Sequence, residues 1–452
     1  MQITVIGGGL SGSEAAWQAA EAGLQVKLME MRPIVQSPAH ETDNFGELIC
    51  SNSLGSSLPE RASGMLKEEL RVLNSLLLRI AEQTALPAGS ALAVDRTAFA
   101  EKITQTLQNH PNIEIIRKEA TTIPDGPAII CTGPLTSDTF SKSIAAFTGN
   151  QNLFFFDAIA PIVNESSIDF SIAFHASRYD KGTNEEGDYI NCPMNKEEYY
   201  AFVEALINAE KINIRDFESE IKSGVTAGAD RFFEGCLPVE VMASRGPDTL
   251  AFGPLTPRGL MHHTDKKPFA IVQLRRDNLA GSLYNLVGFQ TNLKFPEQKR
   301  VFRMIPGLQN AEFYRYGQMH RNTFLYAPDI IHPSLQTKKR EDLFIAGQLT
   351  GVEGYMGNIA TGLLAGINMA RFLQHMPLFV LPETTMLGSL VNYITHASQK
   401  DFQPMKANFG ILPPHQKKIR DKRKRYLMYT ERGLGDLQAY LNAHSEDENE
   451  TI

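Results

Sequence analysis

Cysteine is scarce in this 452-residue chain: four residues, Cys50, Cys131, Cys192 and Cys236, lie far apart and form no C-x-x-C pair. That scatter excludes a disulfide framework and a cysteine-based zinc site, so free thiols are the simplest reading and no metal is expected. Long apolar runs are missing too. No stretch reaches the roughly 20 residues that span a bilayer. The opening MQITVIGGGL enters a strand-like run with neither a basic region nor a cleavage site, so a cytoplasmic location is expected. Positive charge is not in excess. Against 44 Lys and Arg stand 51 Asp and Glu, a net charge of −7, which argues against a surface coated for nucleic acid but leaves local patches open. Hydrophobic residues at 42% and charged residues at 21% mark a folded chain, and the length points to two packed units.

The first thirty residues read as a βαβ unit: the β-branched run ITVI, the turn GGGLSG, the Ala-rich helix SEAAWQAAEAG closed by Gly23, and the strand VKLME. Gly7, Gly9 and Gly12 stand at G-x-G-x-x-G spacing. The first allows a tight turn, the second lets backbone approach a pyrophosphate, and the third permits close helix–strand packing. Gly8, Leu10 and Ser11 complete the loop. Glu30 ends the second strand, about twenty residues past the glycines, where an acid accepts hydrogen bonds from an adenosine ribose and disfavours a 2′-phosphate.

A second passage, REDLFIAGQLTGVEGYMGNIATGLLAGINMARFL, repeats strand, glycines and helix, with Gly347 and Gln348 at its turn and Ala360, Gly362, Ala365 and Gly366 permitting close packing. Two separated signatures suggest one discontinuous FAD-binding domain wrapped round an insertion. A buried small-residue helix would explain the glycines without a ligand, but not the polar string Gln348, Glu353 and Asn358. The runs PFAIVQLRR and LYNLVGFQTNL suggest antiparallel strands, and NKEEYYAFVEALINAE a helix. The fold class is therefore α/β: a Rossmann-like FAD-binding domain over 1–159 and 326–452, with an inserted α+β domain over 160–325.

MEMRP at 29–33, ELICSNS at 47–53, LKEELR at 66–71, ALAVDR at 91–96 and TGPLTS at 132–137 add to the glycine loop, as do FEGCLPVEVMASRG, VGFQTNLKFPEQKRVFRMIPGL, RYGQMHRNT and GQLTGVEGY further on. Over almost its whole length the chain resembles the folate- and FAD-dependent tRNA (uracil-5-)-methyltransferases. It is also similar to the longer tRNA wobble-uridine carboxymethylaminomethyl flavoenzymes. The resemblance implies methylation of a tRNA uridine at C5, in that family U54 of the T loop. It also implies 5,10-methylenetetrahydrofolate as the carbon source, reduced FAD as the hydride source, and NADPH or NADH to recharge the flavin.

Uracil C5 is a poor nucleophile until a group adds to C6, and a thiolate adds and leaves readily. Cys236, in the turn-like FFEGCLPVE with Arg231 and Arg245 within sequence reach, matches the family's nucleophile. Cys50, in ELICSNSLG, matches its second functional cysteine, usually given removal of the C5 proton, a task a water or Glu353 could equally perform. Cys131 and Cys192 read as structural. Tyr355 sits where a ring could cover isoalloxazine or folate, or serve only as a hydrophobic staple. The sequence MGNIATG that follows it departs from the commoner family pattern.

For tRNA the informative run is HQKKIRDKRKRY, with Lys417, Lys418, Arg420, Lys422, Arg423, Lys424 and Arg425 against Asp421 alone. On a helix these cover more than one face, as phosphate contact requires, although most charge runs are simply solvated. The closing SEDENETI reads as disordered. Two competing readings are a flavin oxidoreductase of a small metabolite and a non-catalytic tRNA-binding flavoprotein.

Overall fold

The computed structural model describes residues 1–37, 39–149, 153–180, 182, 187–212, 237–264, 266–398, 402–416 and 419–450. Its centre is a parallel sheet of five strands. In spatial order they are Leu343–Ile345, Ala128–Ile130, Gln2–Ile6, Gln25–Glu30 and Ile113–Arg117. The expected βαβ unit is present as the first two strands in sequence and the helix Leu10–Glu21 between them. Gly23, at φ +87°, ends that helix by donating to Ala20, while Leu24 donates to Ala19.

The second glycine passage forms the edge strand Leu343–Ile345 and the helix Tyr355–Leu373. This helix lies against Leu10–Glu21 at backbone distance. A Cβ on Gly362 would fall 2.2 Å from the Ser11 carbonyl oxygen, and one on Gly366 would fall 2.6 Å from that of Ala15. Only glycine permits such an approach, and the result is two helix N-termini side by side above the sheet.

A second sheet has six strands, every adjacent pair antiparallel. Its order is Phe174–Ala176, Tyr189–Met194, Ala270–Arg276, Leu283–Leu286, Ile162–Asn164 and Phe313–Arg315. One apolar core, drawn from residues 3–144 and 325–437, packs around the parallel sheet, and a separate core from residues 163–311 packs around the antiparallel one. Between them, Leu153–Ala158 pairs with Met319–Phe324. Two adjacent residues fasten the units together. Asp95 caps the helix Arg96–Gln108 through Ala98 and also accepts from the Leu279 amide at 2.7 Å, while Arg96 grips Asp277 at 2.9 Å.

The closing helix runs from Lys422 to Glu450. The disorder expected of SEDENETI is thus overturned for 445–450, because an upstream helix with buried Tyr429 and Leu437 carries the acidic segment on as its last turns. No described helix is long and apolar enough to cross a membrane.

The glycine contacts make a testable demand. Gly362→Ala forces a methyl into the Ser11 backbone, so the Tm should drop by several degrees, with flavin content falling in parallel as the two N-termini separate. Thermal unfolding and the absorbance of the purified variant check it, and a wild-type Tm would show that the helices part without cost.

Candidate functional site

A cavity of about 320 Å³ opens where the two helix N-termini meet the carboxyl ends of the parallel strands. Gly7, Gly9, Leu10, Ser11, Glu30, Cys50, Gln348, Glu353, Tyr355 and Asn358 line it. Gly7, at φ +101°, makes the turn, and a Cβ there would collide with Cys131 and Thr132. A Cβ on Gly12 would fall 1.8 Å from the Gly7 carbonyl oxygen, so its role is helix–strand packing. Gly8 is blocked by Phe45 and Gly347 by Ser11, so both support the cavity from behind. Gly9 differs from all of these: among the described residues nothing lies within 4 Å of its would-be Cβ, and it lines the cavity.

Both helices start without a side-chain cap, at Gly9 and at Gly354. Their first amides therefore present unpaired N–H groups and the positive end of the helix dipole to whatever occupies the cavity. Glu30 Oε2 accepts from the Gly8 amide at 2.8 Å, and Oε1 accepts from the Arg32 amide and Nε, each at 3.0 Å. Burial would raise this carboxyl, but the Arg32 guanidinium and these donors hold it below its usual range. Lys118, whose amide donates to the Glu30 carbonyl, adds residues 118–120 to that end of the wall. At the other end Gln348 Nε2 donates to Glu353 at 2.8 Å. The Asn358 Oδ1 is buried with no partner among the described residues.

This cradle fits a dinucleotide: an open glycine, two uncapped helix ends for phosphate, an ionised acid for a ribose, and an orphaned amide oxygen for a hydroxyl.

Cys50 lies half-buried on the cavity wall in a loop held from three directions. Tyr355 Oη accepts from the amides of Cys50 at 2.9 Å and Ser51 at 3.1 Å. The Tyr355 hydroxyl is therefore committed to that loop, while its side chain still lines the cavity. Burial and then the charge at Cys50 push its acidity far down, so it stays protonated. Arg96 Nη1 donates to the carbonyls of Leu48, at 2.6 Å, and Ile49. From the antiparallel sheet, Arg275 donates to Asn52 Oδ1 at 2.8 Å and Ser51 Oγ at 2.7 Å, and Asn52 Nδ2 returns a bond to the Arg276 carbonyl.

Cys131 and Cys192 are buried, and burial pushes both thiols up to about 12, as structural residues require. Cys131 nonetheless borders the cavity.

Cys236 and Arg231, with Lys417 and Lys418, lie outside the described residues. The next residue after the cysteine, Leu237, is buried. Pro238 then starts the helix Val239–Ser244, whose Val239 amide donates to the carbonyl of Gln290, a cavity-lining residue, at 2.7 Å. Glu240 locks this helix down by accepting from Thr291 and the Asn292 amide.

Of the basic run, Arg420 precedes the closing helix and Lys422, Arg423, Lys424 and Arg425 form its first turn, capped by Asp421 through the Lys424 amide at 2.6 Å. Arg423 pairs with Glu60 at 3.0 Å, and Lys422 and Arg425 flank the Tyr426 ring.

Sequence reasoning missed Arg32, Arg96 and Arg275 as supports, and the 132–137 turn, Gln290 and Asn322 as cavity wall. MEMRP, ALAVDR, TGPLTS and RYGQMHRNT carried the signal, since each motif holds one of these residues.

A parallel sheet with paired uncapped helix ends over a single cradle defines a dinucleotide-binding protein of the flavoenzyme type. Residues 2–377 match the family described as Glucose inhibited division protein A. The chain is 53% identical over 442 residues to methylenetetrahydrofolate–tRNA-(uracil-5-)-methyltransferase TrmFO of Anoxybacillus flavithermus, covering 98% of this chain and 99% of that one. The Enterococcus faecalis protein of the same name is 54% identical, with 97% and 98% covered. With this identity along essentially the full length, the chain belongs to the methylenetetrahydrofolate–tRNA-(uracil-5-)-methyltransferase family. Among solved structures, Aquifex aeolicus GidA matches with a TM-score of 0.67 at 17% identity, over 100% of this chain and 76% of that one, and shows the shared fold.

Gly9→Ala should leave the Tm of the flavin-free protein unchanged, because its methyl meets only open space, yet cut flavin content sharply. Glu30→Gln should destabilise the protein at neutral pH. A carboxyl held low contributes fully above the ordinary carboxylate range and loses its contribution as pH falls through the lowered value, so the two proteins should converge only in acid. Unfolding curves against pH check this.

Proposed function

We propose that the protein methylates uracil C5 in tRNA, at position 54 of the T loop, with methylenetetrahydrofolate as carbon donor and NADPH or NADH as the final reductant. The observation that carries this reading is the near-full-length match to the named methyltransferases, together with a cradle built for FAD beside a cysteine loop. When bound, the flavin supplies the redox chemistry between folate carbon and uracil.

The chain's own residues do the rest. The Cys236 thiolate adds to uracil C6, making C5 nucleophilic toward the one-carbon unit. Cys50 then takes the C5 proton, which expels the Cys236 thiolate from C6 and regenerates it. Two observations support this pairing: Leu237 leads into a helix tied to the cavity-lining Gln290, and the Cys50 loop is pinned by Tyr355, Arg96 and Arg275. Burial opposes the Arg96 charge, while Asp277, Tyr355 and Cys50 favour it, so a guanidinium stands ready to stabilise negative charge at Cys50.

RNA carrying 5-fluorouracil tests the roles, since fluorine cannot leave as a proton. Cys236→Ala should abolish both methylation and the covalent protein–RNA adduct. Cys50→Ala should abolish methylation and still form the adduct, and reduction of the flavin by NADPH should survive in both. An adduct with Cys236→Ala but not with Cys50→Ala would exchange the two assignments.

The basic turn at 420–425 is read as a phosphate contact. Neutralising Lys422, Lys424 and Arg425 should weaken tRNA binding and lower its salt slope by about one unit for each phosphate left without its cation. Filter binding across a salt series measures it, and an unchanged slope returns the turn to plain solvated surface.

A further inference from the structure

One side chain in the cavity wall has no role in the reading so far. Asn322, near the end of the strand Met319–Phe324, is 1% exposed. It lines the cavity, and neither its Nδ2 nor its Oδ1 has a hydrogen-bond partner among the described residues. A buried carboxamide with both ends unmet is costly, and native structures rarely keep one without a reason.

The backbone beside it is fastened. Thr323 donates to the Pro134 carbonyl at 2.9 Å and Leu325 to that of Leu349 at 2.7 Å, so the strand is held between the 132–137 turn and the second glycine turn. No described side chain of the wall bonds to it. Pro134 and Leu135 offer no polar side chain, and the Gln348 amide is already engaged with Glu353. What is left is a donor and an acceptor side by side on one rigid group.

The complement of a free carboxamide is a flat edge that offers an acceptor next to a donor. We propose that Asn322 pairs with the lactam edge, –CO–NH–, of the ring the cavity receives, and so acts as a specificity-determining residue. The inference rests on the reading that this cavity serves a flavin, a folate and a uracil, each of which carries that edge. Adenine could also satisfy a carboxamide. The adenosine end of the cradle, however, is marked by Glu30 and residues 118–120, whereas Asn322 is fastened to the 132–137 and 347–351 turns.

The test uses full-length protein stripped of flavin, with Asn322→Leu and Asn322→Ser as variants. Kd is measured for FAD, for tetrahydrofolate on the reloaded enzyme, and for ADP as a probe that lacks the lactam. Adduct yield with 5-fluorouracil RNA is recorded alongside. One lactam-bearing ligand should lose about ten- to a hundredfold in affinity, while ADP binding stays unchanged.

A shift in the flavin absorption bands together with a weaker FAD Kd assigns the isoalloxazine. A loss confined to tetrahydrofolate assigns the pterin, and one confined to the adduct assigns uracil. The flavin-free Asn322→Leu protein should match or exceed the wild-type Tm, because an unmet amide is replaced by an apolar group of similar shape; should it fail to fold, Asn322→Ser answers the same binding question. Changes below twofold for all three ligands, or an equal loss for ADP, would overturn the proposal. Wild-type protein that takes up no FAD at all would overturn the cofactor reading along with it.

Discussion

Everything in this site hangs on how closely two helices are allowed to approach. Gly362 and Gly366 on one helix meet the backbone of Ser11 and Ala15 on the other, and Gly12 meets the Gly7 carbonyl beneath. With any larger residue at these positions the helices would ride up on their side chains and their N-termini would diverge. Held together, they aim two sets of unpaired amides at one volume. The amides add a fixed positive potential beside Gly7, Gly9, Leu10 and Ser11 that needs no side-chain cation.

The second constraint is the loop that carries Cys50. It belongs in sequence to the dinucleotide-binding unit, yet Arg275 and the Arg276 carbonyl of the antiparallel sheet hold Ser51 and Asn52. Arg96, from the same unit as the loop, reaches out to Asp277 on the other. Buried ion pairs of this kind add little net stability, because desolvation offsets most of the attraction. Their directional geometry is what matters here. Tyr355 contributes a neutral hydroxyl that accepts two amides, and its burial keeps it neutral at any pH the protein meets. The loop thus records the relative position of the two units, so a shift between them would move the thiol.

The βαβ unit, the second strand and helix, and the antiparallel insertion strands were legible in the sequence because each depends on local pattern: β-branched runs, glycine spacing and helical periodicity. Gly9 was legible for the same reason, since its task is set by the glycines two positions before it and three after. Arg32 and Arg96 were not, because each does its work across a gap in sequence that periodicity does not encode. Arg32 reaches Glu47 and the carbonyls of Thr42 and Asn44, and Arg96 reaches residue 277. Tyr355 shows the limit most clearly. Its place beside the site was readable from GVEGY, but its bond to a loop 305 residues away was not. The tail misread for a different reason, as its acidic composition suggested disorder while the apolar stripe that supports its helix lies upstream, at Tyr429 and Leu437.

A division of labour follows from where each group is anchored. The cradle is built from backbone amides and one carboxylate that Arg32 keeps ionised against its burial, so its affinity for an anionic dinucleotide is set by the fold and changes little over the neutral range. The Cys50 loop is anchored differently, because side chains from both units hold it through directional hydrogen bonds. Around it stand the Arg96 guanidinium, bonded to the Leu48 and Ile49 carbonyls, and the Tyr355 hydroxyl, which accepts the Cys50 and Ser51 amides. One cavity thus combines an electrostatic site set by backbone amides with a thiol whose position is set by side chains from both units, so either can be altered without rebuilding the other.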